Sequence, residues 1–524
     1  MKNFFNFKNL SKIIVIALIF SFSGLSALAF DPTFKINIYN TSDTELRSQI
    51  DVVSVRNTNY INFYIDEYVW KKMSSSDQSK ISNFANLLAS EFEYNIYPKI
   101  IKVFPNIADW LNFQKKLIIV FTPMTSGIQG YVRWDDFNSL AQSKTSNDGN
   151  IVYLNSNNLL NSNIANNVLY SFFTHEFMHL ISYREKNAKY NIEEEVWLEE
   201  LRSEYIAHYL GYNQTKDSYL NFRLQNGISL TDVNLKNWNN TSNSYSLINL
   251  FSIYLADRFT PDIIFQTLLT NLSGTQAIDS FLKQRGYTEK FSNIYQDWII
   301  ANILNDCTVN KNYCYKNLDI QINIPGSSFF LPINNDSTLS ISDSLISYQT
   351  KYQKIVGGSD NLEVTLENTK NNIFQKVPYI LIDKTGQKTL NFFEFNNATT
   401  KQLTISDYSK KYSNIIIIPM FANSNEDITQ LFKWHINSYR SLTTTTVKPI
   451  VRTTTTTSDD PNSNIDNTST TSTTLKNSSF NQPDFGNASP IIINIVNPVK
   501  TIPWYLQFIN GFKAFFQNIF SRFL

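Results

Sequence analysis

The chain has 524 residues, with 45 lysines and arginines against 44 aspartates and glutamates and a formal net charge of +1. Its basic residues are spread along the chain, which argues against nucleic acid as a partner. The length implies about three structural units, and an aromatic content of 14% is enough for large buried cores.

Residues 1–29 read as a signal peptide. Lys2, Lys8 and Lys12 form a basic start, Ile13 to Ser26 an apolar stretch, and Ala27-Leu28-Ala29 a small-residue cleavage site. The other reading is an uncleaved anchor; the short apolar stretch and the Ala-x-Ala pattern favour removal, leaving a secreted or surface-attached chain that starts near Phe30. Residues 30–59 are expected to be a β segment, and strand character continues to about residue 70, with clear alternation from Ile61 to Ile65. Ser74 to Asp77 offers helix N-caps ahead of Ile81, Phe84, Leu87, Leu88 and Phe92 at helical spacing. Leu117 to Phe121 reads as a buried strand, and Gly130 to Trp134 and Ile151 to Leu154 as further strands. From Ile164 to Leu304 nearly all spacing is helical.

Cys307 and Cys314 are the only cysteines. In an exported chain they suit a small-loop disulfide, and the absence of a CxxC spacing argues against a metal site. Residues 317–440 carry short apolar runs bounded by Asn, Asp, Gly or Ser: Ser327 to Leu331, Leu362 to Leu366, Val377 to Ile382, Leu390 to Phe395 and Ile415 to Met420. That is the pattern of an antiparallel β-sandwich. Residues 441–489, with threonine runs at 443–446 and 453–457, are too polar to form a core and read as a linker. In the tail, 490–524, Trp504, Phe508, Phe512, Phe515, Phe516, Ile519 and Phe523 share one helical side. Residues 503–524 are therefore expected to lie in a membrane interface or dock on an envelope partner, the plainer alternative being a helix packed on its own domain.

The chemistry centres on His175-Glu176-Phe177-Met178-His179, an HExxH motif. Helical residues four apart share a face, so His175 and His179 can offer two imidazoles to one zinc ion. Glu176, rotated by about 100°, sits beside the metal, where it can act as general base. A catalytic zinc needs a third protein ligand, and Trp197-Leu198-Glu199-Glu200-Leu201-Arg202-Ser203-Glu204 lies downstream. Here the chain resembles the gluzincin metallopeptidases, in which a Trp-Leu-x-Glu segment on a second helix supplies that ligand. The resemblance implies Glu200 as ligand and Glu204, one turn on, as the residue that orients the first histidine. Glu199 stands where many relatives have asparagine, leaving a choice among Glu199, Glu200 and Glu204; helix geometry favours the Glu200–Glu204 pair. Glu193-Glu194-Glu195 reads as a solvated acidic helix start.

Over residues 60 to 305 the chain looks most like the hyicolysin-like secreted bacterial peptidases, through Glu91 to Pro98, Phe121 to Met124, Gly130-Tyr131, Tyr245 to Phe259 and Asp297 to Asn302. The resemblance implies an α+β zincin-like peptidase domain, placed at 60–316. It also implies an electrophile on the helical side, for which Tyr245 is the candidate and His208 the alternative. His435 is expected to be structural. The implied activity is zinc-dependent endopeptidase cleavage of a protein or peptide substrate, which would add as a strand near Gly130 to Trp134 or Ile151 to Asn155. The rival readings are a surface-displayed binding protein with a relict peptidase domain, and a zinc amidase acting on cell-wall peptides.

Overall fold

The computed structural model describes residues 33–35, 47–125, 127–161, 163–213, 233–239, 241–316, 327–368, 376–423 and 428–441. The expected signal peptide, the expected linker beyond Ser441 and the expected amphipathic tail lie outside the described residues. Up to residue 440, the described residues belong to one compact unit of mixed α+β architecture.

The first layer is a six-stranded sheet. Its strands are β1 (Thr33–Lys35), β2 (Gln49–Asn57), β3 (Ile61–Asp66), β4 (Leu117–Thr122), β5 (Gly130–Tyr131) and β6 (Asn150–Asn155), in the order β1-β2-β3-β4-β6-β5. β3, β4 and β6 run parallel, and β2 and β5 are antiparallel to their neighbours. One face of the parallel strands, with Phe63, Ile119, Phe121 and Val152, packs into the main core. The other, with Val120, Ile151 and Tyr153, packs into a smaller cluster with Phe34, Ile50 and Met124. Burial on both faces explains why Leu117 to Thr122 is a continuous apolar run rather than an alternating one. Because β2 pairs with β3 in this sheet, residues 49–57 belong to it and there is no boundary at residue 59. The strand expected from Gly130 to Trp134 ends at Tyr131, and a turn of 3-10 helix follows at Trp134–Phe137.

Helix α1 (Ser75–Glu91) starts where Ser74 accepts the backbone N–H of Asp77 at 3.1 Å. It buries Ile81, Phe84, Ala85 and Leu88. Leu87, expected on the packed face, is exposed, since it lies about 100° round the helix from Leu88. Helices α2 (Asn166–Ser182), α3 (Val196–Leu210), α4 (Ser242–Phe259), α5 (Gly274–Gln284) and α6 (Phe291–Leu304) build the helical layer, with α3 packed on both α2 and α4. Both α2 and α3 are buried almost all round, and α3 takes Glu200, Arg202, Ser203 and Glu204 into the interior with its apolar residues. Gly211 ends α3 at a φ of +99°, a left-handed conformation that favours glycine. Beyond α6, Cys307 and Cys314 are joined as a disulfide.

A two-residue strand, β7 (Val233–Asn234), precedes α4. The β-rich region then comprises β8 (Ser327–Leu331), β9 (Ser337–Leu345), β10 (Gln349–Thr350), β11 (Gln353–Gly357), β12 (Asn361–Asn368), β13 (Lys376–Asp383), β14 (Lys388–Glu394), β15 (Thr400–Ile405), β16 (Tyr412–Ile417), β17 (Met420–Phe421) and β18 (Gln430–Tyr439). Two sheets, β14-β13-β16-β11-β8 and β15-β12-β18-β9, enclose a core around Leu366, Phe393, Ile415 and Trp434. The sandwich is not purely antiparallel: β8 runs parallel to β11. Long strands β9 and β18, which sequence reading passed over, pair along their length.

The boundary expected at 316/317 is not a structural division. Strand β10 hydrogen-bonds to β7 on one side and β17 on the other, a three-stranded sheet that joins the sandwich to the segment leading into α4. Tyr348, Tyr352, Ile416 and Met420 of the β-rich region share the main core with the helices. The Tyr352 hydroxyl donates to the Ile299 carbonyl at 2.8 Å, and the Lys388 ammonium to that of Ile303 at 2.5 Å.

Candidate metal centre

Helix α2 presents His175 and His179 on one face and α3 presents Glu200 opposite them. His175 Nε2 lies 3.2 Å from His179 Nε2, while Glu200 Oε2 lies 3.5 Å from the first and 3.7 Å from the second. A triangle of these sides has its centre about 2.0 Å from each corner, which matches zinc–nitrogen and zinc–oxygen bonds of roughly 2.0–2.2 Å. Two imidazole nitrogens and a carboxylate oxygen that converge in this way are a donor set of the kind that would hold a metal ion. Among the described residues this is the one group of three or more histidine, cysteine or acidic side chains so disposed. The residues present could hold a metal ion.

Each histidine is held from behind. His175 Nδ1 lies 3.4 Å from Glu204 Oε1, and Glu204 Oε2 accepts the Asn249 side-chain amide of α4 at 2.8 Å. His179 Nδ1 lies 3.1 Å from Glu199 Oε1 and 3.3 Å from Ser203 Oγ. Glu200 thus faces both Nε2 atoms, and Glu204 faces His175 Nδ1. Glu199, set aside on helix geometry, faces the ring of His179 instead. Burial works against a charged His179, but the fields of Glu200 and Glu199 outweigh it and push its pKa up to about 10. Without a metal, the surrounding carboxylates draw a proton onto this ring; a divalent cation competes for the same place.

Glu176 is buried at 8% exposure. Burial raises its pKa, assisted by Glu200 and Glu204 and opposed by the two histidines. It also abuts the sheet edge: a Cβ on Gly130 would come within 2.8 Å of Glu176 Cγ and 2.7 Å of the Tyr153 carbonyl oxygen. The strand that carries Gly130, β5, is the edge of its sheet. The alternative docking strand from Ile151 to Asn155 lies between β4 and β5, and β5 covers its Tyr153 and Leu154.

Tyr245 of α4 is buried beside the centre, its ring centroid 6.3 Å from that of His175 and packed edge-on by Trp238 at 4.8 Å. His208 stacks against Tyr205 and feels Asp257; burial lowers its pKa. His435 lies on β18 within the sandwich, beside Ser340.

The acidic start of α3 is not solvated as expected. Only Glu193 of the three is exposed. Glu194 is buried between Lys186 at 2.6 Å and Arg202 at 2.7 Å, both at 0% exposure. Its carboxylate also accepts the Gly274 N–H at 2.7 Å. Arg202 in turn donates to the Ile264 carbonyl and the Thr267 hydroxyl. Burial works against the Glu194 carboxylate, but Arg202 and Lys186 more than offset it and hold its pKa below the usual range. Lys186, sharing one anion with a second cation, is lowered by burial and by Arg202. Glu195 accepts the Trp197 indole N–H at 2.6 Å and pairs with Lys236 at 3.3 Å.

No protein-family model and no curated protein matches the chain. Some solved structures match in part. The pre-peptidase C-terminal domain of a collagenase from Bacillus anthracis is 12% identical, with 22% of this chain and 98% of that chain covered at a TM-score of 0.16. PliG of Aeromonas hydrophila, a periplasmic inhibitor of g-type lysozyme, is 6% identical, with 22% and 96% covered at 0.16. A subunit of the disulfide-linked pili of Bacillus endospore appendages is 9% identical, with 21% and 96% covered at 0.13. Scores this low carry no argument about what the chain does.

Proposed function

We propose that the chain is a zinc-dependent endopeptidase of the gluzincin type, with a zincin-like catalytic domain resembling those of the hyicolysin-like peptidases. The observation that carries the reading is the convergence of His175 Nε2, His179 Nε2 and Glu200 Oε2 on one point at metal-bond distance. Zinc bound there supplies Lewis acidity, polarising a carbonyl and lowering the pKa of water to roughly 7. His175, His179 and Glu200 hold the ion, and Glu204 and Glu199 hold the histidines. Glu176, whose buried carboxylate is more basic than an ordinary glutamate, takes the water's proton and passes it to the leaving amine nitrogen. In this reading Tyr245, whose ring packs near that of His175, donates a hydrogen bond to the developing oxyanion. An extended substrate pairs with the open edge of β5 at Gly130 and Tyr131. Hydrogen exchange tests that placement: slowed exchange at β5 with a bound inhibitor is expected, and no change there would rule it out.

The same reading places the protein outside the cytoplasm, on the leader-like residues 1–29 and on a disulfide of the kind that persists in oxidising compartments. The aromatic side of residues 503–524 then serves as a contact with a membrane surface or envelope partner.

The test is metal analysis of the purified protein alongside casein cleavage. About one zinc per chain is expected, with cleavage reduced roughly 100- to 10,000-fold in Glu176→Gln while the zinc is retained. A zinc-free, fully folded wild type would show that the histidines are structural.

A further inference from the structure

The open edge of β5 leads beyond the candidate metal centre. Successive side chains of an extended segment alternate between its two faces. Arg133 is still extended, at φ −110° and ψ 119°, so the alternation that begins in β5 carries on to Trp134. Gly130, Val132 and Trp134 look toward the helices: Gly130 abuts Glu176, and the other two pack against the main core. Tyr131 and Arg133 look the other way. Tyr131 stacks on Tyr153 at 4.6 Å, and Arg133 pairs with Asp136 at 3.1 Å and donates to the Thr145 carbonyl at 3.0 Å. These contacts fix the segment from behind.

The positions of α2 that meet this segment are Glu176 and, just past the end of α2, Tyr183. Seven residues make two turns, so both leave the helix on one side, about 10 Å apart along its axis. The Tyr183 ring lies 5.4 Å from that of Trp134 and stacks on Phe137 at 4.3 Å. The Arg184 guanidinium lies over Phe137 at 5.1 Å and donates to Asn150 Oδ1 at 2.8 Å. Phe137 is buried, whereas Trp134 and Tyr183 are each only partly buried. Two large rings are thus held in place, half in solvent, where the edge strand and the histidine-bearing helix run on together.

We propose that Trp134 and Tyr183 form a substrate subsite that selects an aromatic or large aliphatic side chain. The inference rests on the peptidase reading and names the substrate class of that same site. Tyr183 lies four and eight residues beyond the two histidines, about 6–12 Å along the axis. An extended peptide advances about 3.3 Å per residue. A substrate paired with β5 therefore lays a side chain on these rings roughly two to four residues from the cleaved bond. An apolar side chain there takes its own surface and that of both rings out of water, which a small or charged one does not.

A peptide library digested by the zinc-loaded, full-length protein tests this, with the cut sites read by mass spectrometry. The ratio of kcat/KM for two peptides that differ only as phenylalanine or serine at the selected position is then measured for wild type, Trp134→Ala and Trp134→Leu. Wild type should favour phenylalanine by about 10-fold or more. In Trp134→Ala the ratio should fall close to one while the bound zinc stays at the wild-type level. Trp134→Leu keeps an apolar contact with Tyr183 and carries the test if the alanine variant does not fold: its preference should move from phenylalanine toward leucine. A wild type that cuts peptides without selecting a side chain at this distance overturns the subsite and leaves the peptidase reading standing, as does a phenylalanine preference unchanged in the variants. A wild type that binds no zinc and cuts no peptide overturns both.

Discussion

Single atoms set the tolerances of the centre, and Gly130 shows it best. Any side chain there meets the Tyr153 carbonyl and the Glu176 methylene at under 3 Å. Both neighbours are buried, so neither can swing away. A Gly130→Ala variant is expected to lose at least 10-fold in kcat/KM by displacing the general base, at an overpacking cost of about 1–3 kcal/mol. Its zinc content should stay at the wild-type level, because no metal ligand touches Gly130. Parallel kinetics and metal analysis check this, and full activity in the variant would mean that Glu176 is not held by the strand. Metal removal is a second residue-level expectation. With the ion gone, Glu200 and Glu199 face a ring that holds its proton up to about pH 10. Zinc uptake at neutral pH should therefore release protons, and affinity should fall as pH is lowered. Titration in weakly buffered solution reads the proton release directly.

At the scale of helices, the metal face depends on how α2 and α3 are held together. Lys186 just beyond α2, Glu194 just before α3 and Arg202 within α3 form one buried ionic cluster, tied by Thr267 and Gly274 to the segments around α5. Removing its single anion leaves two buried cations without a partner. Glu194→Gln is expected to cost about 3–5 kcal/mol of stability, read as a fall in melting temperature. The pH dependence follows from the sign of the Glu194 shift. Its folded-state pKa is lowered, so its contribution is complete above the unfolded value of about 4.3 and is lost as pH falls through the folded one. Wild type should therefore lose stability more steeply below about pH 4.3 than Glu194→Gln does. Parallel slopes would show that the cluster does not govern acid unfolding.

The described residues up to Arg440 form one compact unit. Strand β10 pairs with β7, and the Tyr348 ring packs edge-on against Phe291 and Tyr295 of α6. From β7 the chain passes through Lys236, paired with Glu195, to Trp238, packed on Tyr245 beside His175. The sandwich thus braces the segment that forms one wall of the centre. A chain cut after residue 316 would leave Tyr295 and Phe291 without their cover and the β7 edge open. It is expected to be insoluble or to unfold with low cooperativity. In the intact chain, Tyr348→Ala should cost about 3–5 kcal/mol and lower a single melting transition shared by both regions. Two separate transitions in wild type would refute this coupling.

What could be read from the residues was local. The HExxH spacing placed two imidazoles on one helical face because the helix repeat requires it; the Glu200–Glu204 pair came from the resemblance to gluzincins, with the same repeat favouring it over Glu199. The buried strand at Leu117 to Phe121 and the runs of the sandwich were legible because burial writes itself into apolar pattern. The tertiary structure decided what depends on neighbours remote in sequence. It turned Glu199 toward His179, buried Glu194 between two cations and set Gly130 against Glu176. It also fused the sandwich to the helices through β7 and β10. A side chain's period along a helix fixes the direction in which it leaves the axis, and only the packing of the other elements fixes what it meets there.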